Sequence, residues 1–106
     1  MRITAVIVAL AATVASTAHA QPGRLTDVEY LQAARCAGLA EAGVGGGDAA
    51  SMKAFMKAEG RGRAAYIADK ADANKADAQR AAKRASTERQ ATLAAEFAGA
   101  CQRYGS

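Results

Sequence analysis

The sequence predicts a small all-α protein, a helical bundle of three to four helices stapled by one disulfide. The chain has 106 residues, 31 of them alanine, whereas Val, Ile and Thr are scarce beyond residue 20. This composition favours helices over sheets. Helix-capping residues precede apolar residues at helical spacing, and two cysteines are available to pair. A chain of this length forms one domain and excludes a multidomain enzyme.

Residues 1–20 carry the three-part pattern of a secretory signal peptide. Arg2 gives a basic start, residues 3–15 are uncharged, and Ala18 and Ala20 supply the small residues of a cleavage site. The alternative is an uncleaved membrane anchor, but the strongly apolar stretch is shorter than the roughly 20 residues that cross a bilayer. We therefore predict cleavage after Ala20 and no transmembrane span afterwards. Residues 21–106 then form a single domain, exported to a bacterial periplasm or secreted.

Cleavage also narrows the available chemistry. It removes Arg2, so the net charge falls from +4 to +3, and it removes His19, the single histidine. Catalysis by a nucleophile and a histidine base is then excluded, as are histidine-rich zinc sites. The glycine runs lack a phosphate-binding motif, so we predict neither metal nor cofactor. Export and the modest charge also disfavour nucleic acid as a partner.

The two cysteines predict one intramolecular disulfide. Cys36 and Cys101 lie 65 positions apart, and an oxidising compartment favours their pairing. Closing a loop of this size stabilises a small domain by about 4 kcal/mol in the loop-entropy model. A redox or metal site is the alternative, but neither a C-x-x-C motif nor a remaining histidine supports it.

Capping residues delimit the first two helices. Thr26 and Glu29 form a predicted capping box, and the helix continues to about Ala42, where Gly43 provides a left-handed stop. Residues 43–47 are expected to form a flexible loop. Asp48 is the predicted N-cap of the second helix, which residues 60–63 end. Its apolar stripe should face the core and consists of Met52, Phe55 and Met56.

The third segment covers about residues 64–85 and combines alanine with charge. Small side chains on one face let another helix approach closely. That face consists of Ile67, Ala71, Asn74, Ala78, Ala81 and Ala85. The alternative is a solvated helix or partial disorder, because the charge density is high.

The fourth segment starts near Ser86 or Thr87, and Thr87 with Gln90 offers a second capping box. Its apolar positions predict an amphipathic helix that stops at Gly105. These positions are Leu93, Phe97, Ala100, Cys101 and Tyr104. The alternative interpretation is that the third and fourth segments form one bent helix.

A line of cations is the strongest candidate for a binding site. Lys53, Lys57 and Arg61 are spaced four residues apart, and Arg63 follows. On a helix such a line can meet an acidic protein or an anionic envelope surface. The ordinary alternative is that these cations only complement the negative end of the helix dipole.

These observations favour a non-enzymatic exported protein that binds through a helical surface, as an envelope adaptor or a chaperone-like protein. The partner and the oligomeric state do not follow from the sequence. The alternative function is a small secreted hydrolase that uses carboxylates alone, with Asp69, Asp72 and Asp77 as candidates. Little apolar cover surrounds these aspartates, which favours a solvated helix face instead.

Overall fold

A computed structural model of the protein describes residues 24–104. That part of the chain is all-helical, as predicted, and contains no strand. The predicted signal peptide and Gly105 lie outside the described residues. The elements in order are α1 Asp27–Glu41, a 3₁₀ turn Val44–Gly46, α2 Ala49–Gly60, α3 Ala65–Arg84 and α4 Thr87–Gly99.

Helix α1 is the central element, on which the other three helices pack. Helix α3 runs parallel to it: Ile67 near the start of α3 packs with Tyr30, whereas Gln79 donates a hydrogen bond to Glu41 at the end of α1. Helices α2 and α4 run in the opposite direction. Eight of the 15 residues of α1 are buried: Tyr30, Ala33, Ala34, Cys36, Ala37, Gly38, Leu39 and Ala40.

Small side chains set the distance between α1 and α3. A Cβ atom added at Gly38 would lie 2.9 Å from Cβ of Ala78 and closer still to the carbonyl oxygen of Lys75. Of the predicted face of α3, Ile67, Ala71 and Ala78 are buried, and the other three residues are half-buried: Asn74, Ala81 and Ala85. Ala82, which was not placed on that face, is also buried. The alanine stripe therefore serves close helix packing, and α3 is an ordered helix of the bundle.

The predicted caps of α1 and α2 are confirmed. The Thr26 side chain accepts from the Glu29 backbone N–H, and the Glu29 side chain accepts in return from the backbone N–H of Thr26. Asp48 caps α2 by accepting from the backbone of Ala50 and Ser51. The α2 stripe faces the core, with Met52 buried.

The start of α4 differs from the predicted capping box. Ser86 is the N-cap and accepts from the Arg89 backbone N–H, so Thr87 is already the first helical residue. Gln90 instead donates to the carbonyl oxygen of Ala85. Since Ala85 and Ser86 are both extended, α3 and α4 are two helices rather than one.

The disulfide is confirmed, although α4 is shorter than predicted. Cys36 and Cys101 are bonded, with Cα atoms 5.5 Å apart. Helix α4 ends at Gly99. Cys101 and Tyr104 lie in the turns that follow it, and both are buried. Ala100, which was predicted on the apolar face, is exposed. The disulfide thus joins α1 to the segment after α4.

The glycine-rich segment, predicted as a flexible loop, contains the 3₁₀ turn and packs against Phe97. A Cβ atom at Gly45 would lie 2.6 Å from Cδ1 of Phe97, and one at Gly47 would lie 2.7 Å from Cε1 of the same ring. The loop lacks side chains at these positions because the buried Phe97 ring occupies the space. Sequence composition indicated flexibility, whereas the glycines permit a close contact.

We expect the Phe97→Ala variant to lose about 3–5 kcal/mol of unfolding free energy, because it empties a buried position. The exposed Asp72→Ala variant should stay within about 0.5 kcal/mol of the wild type. Urea unfolding followed by circular dichroism measures both values. A reversed order would show that the two faces are assigned wrongly.

Two variants, Gly45→Ala and Gly46→Ala, distinguish the stability lost through backbone strain from the stability lost through contact with Phe97. Both glycines have positive φ, 71° and 67°, so each alanine should cost about 1–2 kcal/mol in backbone strain. Only the Gly45 variant also crowds Phe97, whereas the position at Gly46 is open. The midpoint temperature of thermal unfolding should therefore be lower for Gly45→Ala than for Gly46→Ala. Equal midpoints would mean that the loop does not pack on the ring.

Candidate functional site

A groove lies between α2 and α3, because the two helices pack on different parts of α1. It encloses a cavity of about 250 Å³. We call it the α2–α3 groove. Its lining comprises Tyr30, Ala34 and Ala37 from α1, Lys53, Met56, Lys57 and Gly60 from α2, and Ala71, Asp72 and Lys75 from α3.

The floor of the groove is apolar. Ala34, Ala37 and Ala71 are almost completely buried, and Tyr30 is 7% exposed. Met56 is half-buried and packs on the same cluster as Tyr30. An apolar group that entered the groove would therefore meet mainly the half-buried side chain of Met56, above a closely packed floor.

The charges at the rim are distributed unequally between the two walls. On α2, Lys53 and Lys57 are exposed, and neither has an ion-pair partner among residues 24–104. On α3, Lys75 lies 2.8 Å from a carboxylate oxygen of Glu41, and Asp72 adds an exposed negative charge. The α2 wall of the groove therefore carries positive charge that residues 24–104 do not neutralise.

Arg63 does not belong to this surface, which corrects the predicted cationic line. Its side chain is only 5% exposed. The guanidinium donates to a carboxylate oxygen of Asp27 and to the carbonyl oxygens of Leu25 and Glu59, each at 2.7 Å. It also lies 4.4 Å from the centre of the Tyr30 ring. The start of α1 folds back to the end of α2 and supplies these partners.

Arg61 remains exposed but lies outside the groove. It follows the last residue of α2, and its carbonyl oxygen accepts a hydrogen bond from the Arg24 guanidinium. Of the four cations in the predicted line, the structure therefore brings Lys53 and Lys57 to the groove. The sequence did not indicate Asp72 and Lys75 as their neighbours, because the α3 wall comes near only through the packing on α1.

Other chemistry has less support in the described part of the chain. Residues 24–104 contain no cluster of three or more histidine, cysteine or carboxylate groups arranged to hold a metal ion. None of the described helices is both long and apolar enough to span a membrane. Asp69, Asp72 and Asp77 are all exposed, and Asp77 pairs with Arg80. Comparisons with protein-family models, curated proteins and solved structures find no match to this chain.

Replacing Arg63 with a neutral residue should destabilise the fold, whereas the same replacement of Lys57 should not. Arg63→Gln removes the donor to the carbonyl oxygens of Leu25 and Glu59, so we expect a loss of about 1–3 kcal/mol in unfolding free energy. Lys57→Gln changes an exposed position and should stay within about 0.5 kcal/mol. Urea unfolding measures both. Wild-type stability in Arg63→Gln would return Arg63 to the candidate binding residues.

Proposed function

We propose that the protein is an exported, non-enzymatic adaptor or chaperone-like protein of the cell envelope that binds an acidic partner through the α2 wall of the groove. The observation that carries this proposal is the pair Lys53 and Lys57. Both are exposed, without an ion-pair partner in the described chain, and adjacent to an apolar floor. Complementary charge steers a partner toward such a surface, and the apolar floor adds contact area.

The hydrolase alternative has less geometric support. Acid–base catalysis by carboxylates needs two such groups positioned around one substrate, at least one with an environment that shifts its pKa. The α2–α3 groove contains a single carboxylate, Asp72, and that residue is exposed. A binding function therefore accounts better for the groove.

Export is supported by two separate features of the chain. Residues 1–20 have the signal-peptide pattern. The Cys36–Cys101 disulfide fits an oxidising compartment, where such bonds persist. Processing would leave Gln21 as the first residue of the exported protein, which an intact mass measurement would show.

The function is tested by reversing charge on the α2 wall. The double variant Lys53→Glu/Lys57→Glu is compared with Lys70→Glu/Lys83→Glu, which makes the same change at exposed positions of α3 outside the groove. The two pairs are matched, because each includes one lysine of a final helical turn, Lys57 or Lys83. Each protein, with its disulfide intact, is used to capture partners from an envelope extract.

We expect the wild type and the α3 control to capture an acidic protein at low salt and to release it as salt rises. Exposed charge pairs are screened beyond about 8 Å at physiological ionic strength. The α2 variant should capture none. Equal capture by both variants, or capture that salt does not weaken, would place the binding site elsewhere.

A further inference from the structure

We propose that the α2–α3 groove receives one helical segment of the partner protein. That segment places an apolar side chain on the groove floor and two carboxylates, one helical turn apart, against Lys53 and Lys57. This inference rests on the proposed function, which supplies the acidic character of the partner. It adds the class of ligand and the spacing of its groups.

The size of the cavity indicates a side chain rather than a free small molecule. The cavity measures about 250 Å³. Pockets that enclose drug-sized ligands usually measure about 300–1,000 Å³. A smaller cavity with an apolar floor and charges at its rim matches the pocket for an anchoring side chain in a protein interface. The rest of the ligand then lies outside the cavity, along the rim.

The rim charges define the spacing of the ligand. Lys53 and Lys57 are four residues apart on α2, so their Cβ atoms are about 6 Å apart along one face. Two glutamates four residues apart on another helix have the same spacing. A helix lying alongside α2 therefore matches both lysines at once, which is the helix-in-groove mode of recognition.

Charges on the α3 wall determine which side of the groove the partner's two carboxylates face. Asp72 repels them, and Lys75 is already paired with Glu41. The favourable positions for the partner's carboxylates are therefore on the α2 side. An apolar residue on the same face of the segment then points between the walls, toward Met56.

An anionic lipid surface fits this arrangement less well. Helices that bind membranes bury an apolar face in the lipid interface. The apolar residues of α2 pack instead against the protein core, with Met52 fully buried and Phe55 and Met56 half-buried. The apolar part of the groove is concave, and Asp72 at its rim repels anionic lipid. A protruding protein segment reaches this floor, whereas a flat bilayer does not.

The test uses two synthetic helical peptides of identical composition. The matched peptide carries glutamates four residues apart, with a leucine three residues after the first glutamate, so that all three share one face. The permuted peptide has the leucine on the opposite face from the glutamates. Fluorescence anisotropy measures the affinity of each peptide for the disulfide-intact wild type, for Lys53→Glu/Lys57→Glu and for the Lys70→Glu/Lys83→Glu control.

We expect the wild type and the α3 control to bind the matched peptide at least about tenfold more tightly than the permuted one, a difference of about 1.4 kcal/mol. The α2 variant should lose this preference and bind neither peptide.

Two results would overturn the inference. Equal affinity for the two peptides would show that the groove does not recognise a shared face, while leaving the acidic partner of the proposed function intact. Binding to phosphatidylglycerol vesicles that depends on Lys53 and Lys57, without binding to the matched peptide, would assign the lysines to a lipid surface. Failure of the proposed function is distinct, because it requires that the α2 variant still captures the partner from the envelope extract.

Discussion

The close approach of α1 and α3 at Gly38 is the constraint on which the rest of the bundle depends. No side chain fits there, because the backbone of Lys75 and the methyl of Ala78 occupy the space. Alanines continue this packing on both helices, and each of them buries little area. The core therefore relies on a few large residues that fill the space on the other sides of α1. The largest that are fully buried are Leu39, Met52 and Leu93. A bundle built in this way benefits from a disulfide, because apolar burial alone contributes less than in a leucine-rich core.

Charged residues divide into those that hold helices together and those that remain available. Arg35 binds Glu96 through two hydrogen bonds of 2.7 and 2.9 Å and thereby ties α1 to α4. The hydrogen bond from Arg35 holds the pKa of the Glu96 carboxyl below its usual value of 4.5. A carboxyl whose pKa is lowered by folding stabilises the native state above its unfolded pKa, so this contribution is lost as the pH falls through the folded value. Arg63 holds the end of α2 to the start of α1 in a similar manner. Lys53 and Lys57 take no part in such pairs within the described residues.

The sequence predicted the local features of the fold better than the contacts between distant segments. Thr26, Glu29 and Asp48 act within one helical turn, so their capping roles follow from spacing alone. The disulfide is a long-range contact, but with two cysteines only one intramolecular pairing is possible.

Arg63 could not be assigned from the sequence in the same way, because its partners at Leu25 and Asp27 lie 38 and 36 residues away. The packing of the glycine loop likewise depends on Phe97, which a composition-based prediction of flexibility does not include. Helical spacing therefore predicted the α2 lysines of the candidate site. The α3 wall could not be predicted, because it depends on tertiary packing.

The disulfide lies outside the groove but supports one of its walls. All residues that line the groove come from α1, α2 and α3, and none comes from α4. The disulfide, Glu96 and Phe97 instead hold the segment after α3 against α1 and the glycine turn. Met52 of α2 packs in the same core cluster as Cys101 and Tyr104, so the disulfide-linked segment also supports the α2 wall. The Arg63 contacts hold the other end of α2. Arg63 lies against the Tyr30 ring, and that ring forms part of the groove floor. The arginine that sequence spacing placed beside the lysines thus affects the groove from inside the fold, by fixing the helix that presents Lys53 and Lys57.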